Sequence, residues 1–224
     1  FSYQNGAYTR WLFNTIMYAV VAGVGATIIA TFAGYAIATM RFPGRNALLA
    51  VTLAFMSIPS TVITVPLFLM YSKIGLVGTP WAVIIPQLAT PFGLYLMIIY
   101  AQTSIPVSLI EAAKLDGANT WTIFWKVGFP LLSPGFVTVL LFTLVGVWNN
   151  YFLPLIMLSD TNDYPLTVGL NMWLKMGAQG TANGQVPNNL IITGSLIAVV
   201  PLIIAFMFLQ KYWQSGLAAG SVKQ

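Results

Sequence analysis

The chain has 224 residues, 58% hydrophobic and 6% charged, with a net charge of +5. A soluble domain carries about 25% charged residues, so this chain cannot dress a water-facing surface and is solvated by lipid. It has no Cys and no His, which excludes disulfides and removes the usual ligands of transition metals. Its nine Lys and Arg residues are scattered along apolar sequence, unlike the basic groove of a nucleic-acid binder, and no nucleic-acid partner is expected.

The charges mark segment ends. A membrane helix needs about 20 apolar residues, and five spans are predicted at 12–40, 47–72, 81–101, 129–157 and 190–210. The fold class is an all-α polytopic membrane protein with five transmembrane helices. Residues 1–10 form an outer N-terminal segment, 11–210 the transmembrane domain and 211–224 a cytoplasmic tail. With residue 1 outside, the inner side holds Arg41, Arg45, Lys114, Lys126, Lys211 and Lys223, and the outer side Arg10, Lys73 and Lys175. Positive loops stay inside, which favours this orientation. A start outside requires something to export residues 1–10, so a sixth, N-terminal helix is expected ahead of them.

The first span has a small residue at every fourth position: Ala22, Ala26, Ala30, Gly34 and Ala38. One helix face carries them all, and small faces let membrane helices approach closely. Packing inside the chain is the favoured reading, contact with another membrane subunit the alternative. Pro43 and Gly44 then make a tight inner turn. Pro59, Pro66, Pro86 and Pro91 interrupt the second and third spans, each removing a backbone donor and kinking its helix. Ser57, Ser60, Thr61, Thr64, Gln87 and Thr90 lie near the same levels. In hydrocarbon they must face protein or a watery cavity, which places Gln87 among the candidates for a solute path.

Residues 102–128 read as a cytoplasmic loop built like a soluble helix pair. Ser104 and Pro106 suit a helix start, and Val107 to Asp116 has no breaker. Gly117 supplies the left-handed stop that a helix end often takes. Asn119 or Thr120 caps a second helix, Trp121 to Val127, which Gly128 and Pro130 end. The small Ala112 and Ala113 let the first helix sit deep in a partner groove, where Glu111 can pair with a cation. Glu111 and Asp116 diverge by about 140° around a helix, so they are no catalytic carboxylate pair.

The fourth span ends in Trp148, Asn149, Asn150 and Tyr151. Aromatic rings and amides suit the stacking and hydrogen bonding of a sugar, and equally the interfacial belt where Trp and Tyr gather. Residues 158–189 make the longest outer loop, rich in Gly, Asn and Gln, and read as a flexible surface loop. No GxxxxGK[ST] occurs, so the loop that cradles ATP phosphates is absent from the chain. The chain is not an enzyme, and any ATP hydrolysis takes place on a separate one.

EAAKLDGA, followed by IFWKVGFPLLSP, resembles the EAA loop of membrane subunits of ATP-binding-cassette (ABC) importers. The anchors Glu111, Ala112, Ala113, Asp116, Gly117, Ala118, Pro130, Leu131 and Pro134 are all present. FPGRNALL (42–49), IPSTVITVPLFLMYSKIGLVGT (58–79), WNNYFLPLIMLSD (148–160), PLTVGLN (165–171) and QKYWQSGLAAGSVK (210–223) resemble the carbohydrate-uptake branch. The likeness is greatest to the shorter membrane subunit of maltose-type importers.

That resemblance implies a multi-pass permease in the inner, or cytoplasmic, membrane of a bacterial or archaeal cell. It implies a second membrane permease subunit, two ABC ATPase subunits that hold ATP and Mg, and an external solute-binding protein. The chain itself would carry no cofactor. Glu111, Ala112, Ala113, Asp116 and Gly117 would couple to the ATPases, and Gly216 and Gly220 of the tail would touch them. The outer loop, at Gly180, Asn183 and Gly184, would reach the binding protein. Half of a path for a sugar or oligosaccharide would include Trp148, Asn149, Asn150 and Gln87, although WN at this place is widespread across the family's substrates. The rival is a channel or secondary carrier without an ATPase. Intramembrane charges would favour it, and the predicted spans contain none.

Overall fold

The structure is a computed structural model that describes residues 6–178 and 187–221, with side chains described as far as residue 210. Among the described residues every regular element is a helix, with no strand. In chain order the helices are α1 (Ala7–Thr39), α2 (Arg45–Met56), α3 (Ser60–Lys73), α4 (Pro80–Gln87), α5 (Pro91–Ser104), α6 (Val107–Leu115) and α7 (Thr120–Ile123). A π-helix (Phe124–Gly128) follows, then α8 (Phe129–Trp148), α9 (Phe152–Met157), α10 (Leu166–Ala178) and α11 (Asn188–Ser221).

Four stretches are long and apolar enough to cross a membrane: Ala7–Thr39, Pro80–Ser104, Thr120–Trp148 and Asn188–Gln210. The predicted second span is not one straight helix. It breaks into α2 and α3, bent by 103°, because Pro59 disfavours helical backbone at Ile58 just before it. If the bent pair counts as one span, there are five. Pro59 and Pro91 therefore mark helix starts rather than kinks. Thr90 caps the second of these, its Oγ1 accepting from the Gly93 N–H at 3.2 Å.

Two compact units make up the chain. One comprises Phe1–Gly23, Pro59–Gln87 and Leu144–Met207, the other Val24–Ile58, Leu88–Thr143 and Phe208–Gln224. In the first, α9 packs on α3 and α4, burying Leu153 and Met157 with Tyr71, Val83 and Ile84. A second cluster joins Tyr8 and Trp11 of α1 to Leu166 and Trp173 of α10 and Ile191 of α11. The second unit packs α2 against α5. Its core brings Ala30 and Tyr35 of α1 together with Met97, Ala101, Ile110, Phe124 and Leu132.

The small-residue stripe of α1 is used inside the chain. Ala22, Ala26 and Ala30 are buried, and a Cβ placed on Gly34 would lie 2.6 Å from Met97 Cβ. The stripe therefore sets a close approach of α1 and α5. At the other end, α11 runs beyond the predicted end of the last span at 210 and stays helical to Ser221.

Much of the outer loop expected to be flexible is the helix α10. Leu166, Gly169, Leu170 and Trp173 recur at the helical spacing i, i+3, i+4, i+7. Leu166, Gly169 and Trp173 are buried, as is Val168. Gly169 faces the Trp11 ring so closely that no Cβ would fit between them.

Candidate functional site

The loop after α5 is built by local chemistry that the sequence largely announces. Ser104, expected as a cap, is the last residue of α5 instead, and Pro106 takes the cap position of α6 without a side-chain bond. At the other end of α6, Gly117 has φ +77°. The Gly117 N–H donates to Lys114 O and the Ala118 N–H to Ala113 O, both at 3.0 Å. That pair of bonds is a Schellman turn, with glycine at the left-handed position that other residues enter at a steric cost. Nothing lies within 4 Å of a Cβ built on Gly117, so its requirement is conformational and not one of space. Asn119 then caps α7, its Oδ1 accepting from the Thr122 N–H at 2.8 Å.

The two faces of α6 differ. Ile110 is buried, and Ala113 and Ala118 pack against the same cluster. Ser108, Glu111, Ala112 and Leu115 lie on the other side at helical spacing and are exposed. Leu115 is 89% exposed and Val107 68%. Asp116, at the C-cap, is also exposed. The five coupling candidates thus separate: Glu111, Ala112 and Asp116 face outward, Ala113 leans inward and Gly117 makes the turn. Leu115 was missed by sequence reasoning. Its signal is an apolar side chain inside the acidic stretch of the loop expected on the inner side.

The second helix of the pair does not end at Gly128 or Pro130. It passes through the π-helix into α8, giving one helical run from Thr120 to Trp148. The Phe129 N–H donates to Phe124 O, the five-residue spacing of a π-turn. This wider turn falls just where Pro130 removes a donor, so the helix is not broken there. An aromatic group fixes the run to α1: Phe32 stacks on Phe124 with centroids 4.8 Å apart and on Trp121 at 5.8 Å, and Tyr35 meets Phe124 edge-on at 5.0 Å. A Cβ on Gly128 would lie 2.7 Å from the Tyr35 ring.

The other candidate group is polar and belongs to the first unit. Trp148 is 8% exposed and packs in the cluster with Trp11 and Trp173, so it stiffens a wall. Asn149 is exposed, its amide N–H bonded to Val145 O of its own helix at 2.9 Å. Asn150 and Gln87 are partly buried and meet: Asn150 Nδ2 donates to Gln87 Oε1 at 3.0 Å. Gly180, Asn183 and Gly184 lie outside the described residues. Gly216 and Gly220 fall in the last turns of α11, beyond the described side chains. No group of three acidic, His or Cys residues that could hold a metal occurs among the described residues.

The sequence profile of the family described as "Binding-protein-dependent transport system inner membrane component" matches residues 26–218. The chain belongs to this family. It is 32% identical over 220 residues to the arabinooligosaccharides transport system permease protein AraQ of Halalkalibacterium halodurans, covering 98% of this chain and 76% of that one. It is 31% identical over 211 residues to the melibiose/raffinose/stachyose import permease protein MelC of Bacillus subtilis, covering 91% of this chain and 73% of that one. In fold it is similar to a chain of a bacterial ABC transporter involved in the import of the acidic polysaccharide alginate. There the TM-score is 0.78 and the identity 27%, over 94% of this chain and 80% of that one. As a binding-protein-dependent permease, the chain is a multi-pass subunit of the inner membrane and the transport component, not the ATPase. ATPase and binding-protein partners follow from that membership.

Proposed function

We propose that this permease forms half of the translocation path of a sugar or oligosaccharide importer and is driven through α6. In this reading it spans the membrane five times. A second permease subunit completes the path, and two ABC ATPases carry ATP and Mg. The single observation that carries the coupling role is the outward face of α6. Leu115, Glu111 and Ala112 stand exposed on a helix fixed by a Schellman turn and continued, through α7 and the π-helix, into a membrane span. An exposed Leu on a rigid inner loop is unfavourable in water, and burial in a partner groove removes that cost.

The sugar class rests on the relatives that transport oligosaccharides and on the neutral character of the polar group. Of the four expected path residues, Asn149 is the exposed amide and the one we place against solute, with Gln87, Asn150 and Trp148 behind it. The contacts of Gly180, Asn183 and Gly184 with the binding protein, and of Gly216 and Gly220 with the ATPases, remain part of the same proposal. The experiment is uptake of labelled arabino- and galacto-oligosaccharides by cells carrying the full transporter. Copurification of the ATPase with wild-type and Glu111→Ala permease is measured alongside. The reading predicts uptake of at least one oligosaccharide and weakened copurification of the variant; wild-type copurification and uptake in Glu111→Ala would remove α6 from the coupling role.

A further inference from the structure

Asn150 follows a span that stops short. Helix α8 ends at Trp148 and α9 begins at Phe152, so the chain between them must satisfy its backbone groups by other means. Asn150 sits at this break, and its groups reach three other elements. Its Nδ2 donates to Gln87 Oε1 at 3.0 Å, at the last residue of α4. Its Oδ1 accepts from the Leu153 N–H at 3.4 Å, in the first turn of α9. Its carbonyl accepts from Thr167 Oγ1 at 2.8 Å, in the first turn of α10. Gln87 is itself held, its Nε2 donating to Val83 O at 2.9 Å. One residue further on, the Tyr151 hydroxyl donates to Asn171 Oδ1 of α10 at 3.1 Å.

The contrast with Asn149 is informative. Asn149 is exposed and its amide bonds only within its own helix, whereas Asn150 is partly buried and bonded to groups far along the chain. Both ends of this half-buried amide are engaged by the protein, one N–H and one lone pair remaining, so a solute that drew the amide toward itself would strain the bonds to Gln87 and Leu153. Solute contact would also have to break bonds made in a medium of low dielectric. We propose that Asn150 is a positioning residue: its side chain ties the end of α4 to the start of α9 and so fixes its own carbonyl, on which Thr167 of α10 docks, so that displacement of α10 is passed to the interrupted spans. Its functional arm rests on the importer reading above; the lock itself does not.

The test uses the full transporter in lipid nanodiscs. Asn150→Leu keeps roughly the side-chain volume and removes both amide bonds. Gln87→Leu removes one of them, the double variant removes the pair, and Asn149→Leu is the neighbour control. Amide hydrogen exchange reads the lock. A net hydrogen bond stabilises by about 1 kcal/mol, so exchange in the first turn of α9 rises about fivefold or more in Asn150→Leu, while α10, bonded to the main-chain carbonyl of residue 150, changes less. Exchange in α5 stays as in wild type, which a general loss of stability would not allow. Gln87→Leu gives a smaller rise, and the double variant exchanges no faster than Asn150→Leu, because the two side chains share one bond. Additive effects, or no rise at α9, overturn the lock.

The functional arm is the ratio of stimulated to basal ATP hydrolysis. The stimulus is the cognate binding protein saturated with an arabino-oligosaccharide digest. The ratio falls at least fivefold in Asn150→Leu, while the digest concentration for half-maximal stimulation is unchanged in Asn150→Leu and raised in Asn149→Leu, the residue placed against solute. A raised half-maximal concentration with unaltered exchange makes Asn150 a solute ligand and overturns the proposal. A faster exchange with an undiminished ratio overturns the positioning role. Absence of stimulation in wild type counts against the sugar reading, and the exchange result still decides whether the lock exists.

Discussion

Two connecting regions of this permease treat their surfaces in opposite ways. The segment from 158 to 178, between α9 and α11, is drawn in by α1. Trp11 Nε1 donates to Thr161 O at 2.8 Å, Asn14 Nδ2 to Asn162 O at 2.7 Å and the Tyr18 hydroxyl to Asp163 O at 2.8 Å. The Arg10 guanidinium reaches Asn162 Oδ1, and the Leu166 N–H donates to Thr15 Oγ1 at 2.8 Å. The loop from 105 to 119 satisfies its own backbone by a turn and a cap, and leaves Val107, Leu109 and Leu115 exposed. The first region is held by its own chain; the second, among the described residues, leaves its outward face open. A surface that leaves large apolar side chains exposed suits a partner, whereas one consumed by internal bonds suits holding position.

The most sweeping break of this comparison is one of sidedness. The chain has no Cys, so single cysteines report cleanly. Leu115→Cys and Leu174→Cys sit at exposed positions of the two regions. An impermeant maleimide added to intact cells labels position 174 and not 115; labelling of 115 from outside destroys the orientation on which coupling depends.

Next in size is the outward face of α6. Burying a Leu side chain contributes about 1.5–3 kcal/mol, and a charge in its place must also be desolvated. Leu115→Asp therefore weakens ATPase copurification about a hundredfold or more, while the permease still inserts and folds. Gly117→Val acts through backbone strain of about 1–2 kcal/mol at positive φ and lowers copurification roughly tenfold. Retained copurification in both variants would make the exposed apolar face incidental.

The held region gives smaller and different effects. Gly169→Ala forces its Cβ onto the Trp11 ring, and overpacking of this kind typically costs about 1–3 kcal/mol. The expected result is a lower unfolding temperature in nanodiscs with ATPase copurification unchanged. Thr15→Val removes the acceptor of the Leu166 N–H and the hydroxyl's bond to Trp11 O in its own helix; faster exchange at the Leu166 amide, by about fivefold, is the main change. If Gly169→Ala instead lost the ATPase and kept its stability, the division of labour between the two regions would be wrong.

The loop from 105 to 119 was legible because its signals are local. Gly117 and Asn119 act within four residues of themselves, and a left-handed glycine followed by an amide cap reads directly from sequence. Pro130 misled because a proline usually ends a helix, and a π-turn that absorbs the missing donor has no simple sequence mark. Helix α10 was visible in the spacing of Leu166, Gly169, Leu170 and Trp173. The glycine and amide content around it, however, spoke for a loop. The bend at Ile58 follows from Pro59, but a lone proline in an apolar run does not say whether a helix kinks or stops. The pairing of Gln87 with Asn150 spans 63 residues of chain; no local rule can find it, because it exists only once α4 and α9 have packed.

The anchoring of residues 161–164 has a consequence for how related chains diverge. Trp11, Asn14 and Tyr18 grip main-chain carbonyls of Thr161, Asn162, Asp163 and Tyr164. A carbonyl is supplied by every amino acid, so the grip does not depend on which side chains stand at 161 and 163. Those two positions are free to drift with the habitat or the docking partner, while the three residues on α1 are not. In a comparison of related permeases, invariance should sit on the gripping helix and variety on the segment it holds. The reverse pattern would mean that the held segment is read by something outside the chain.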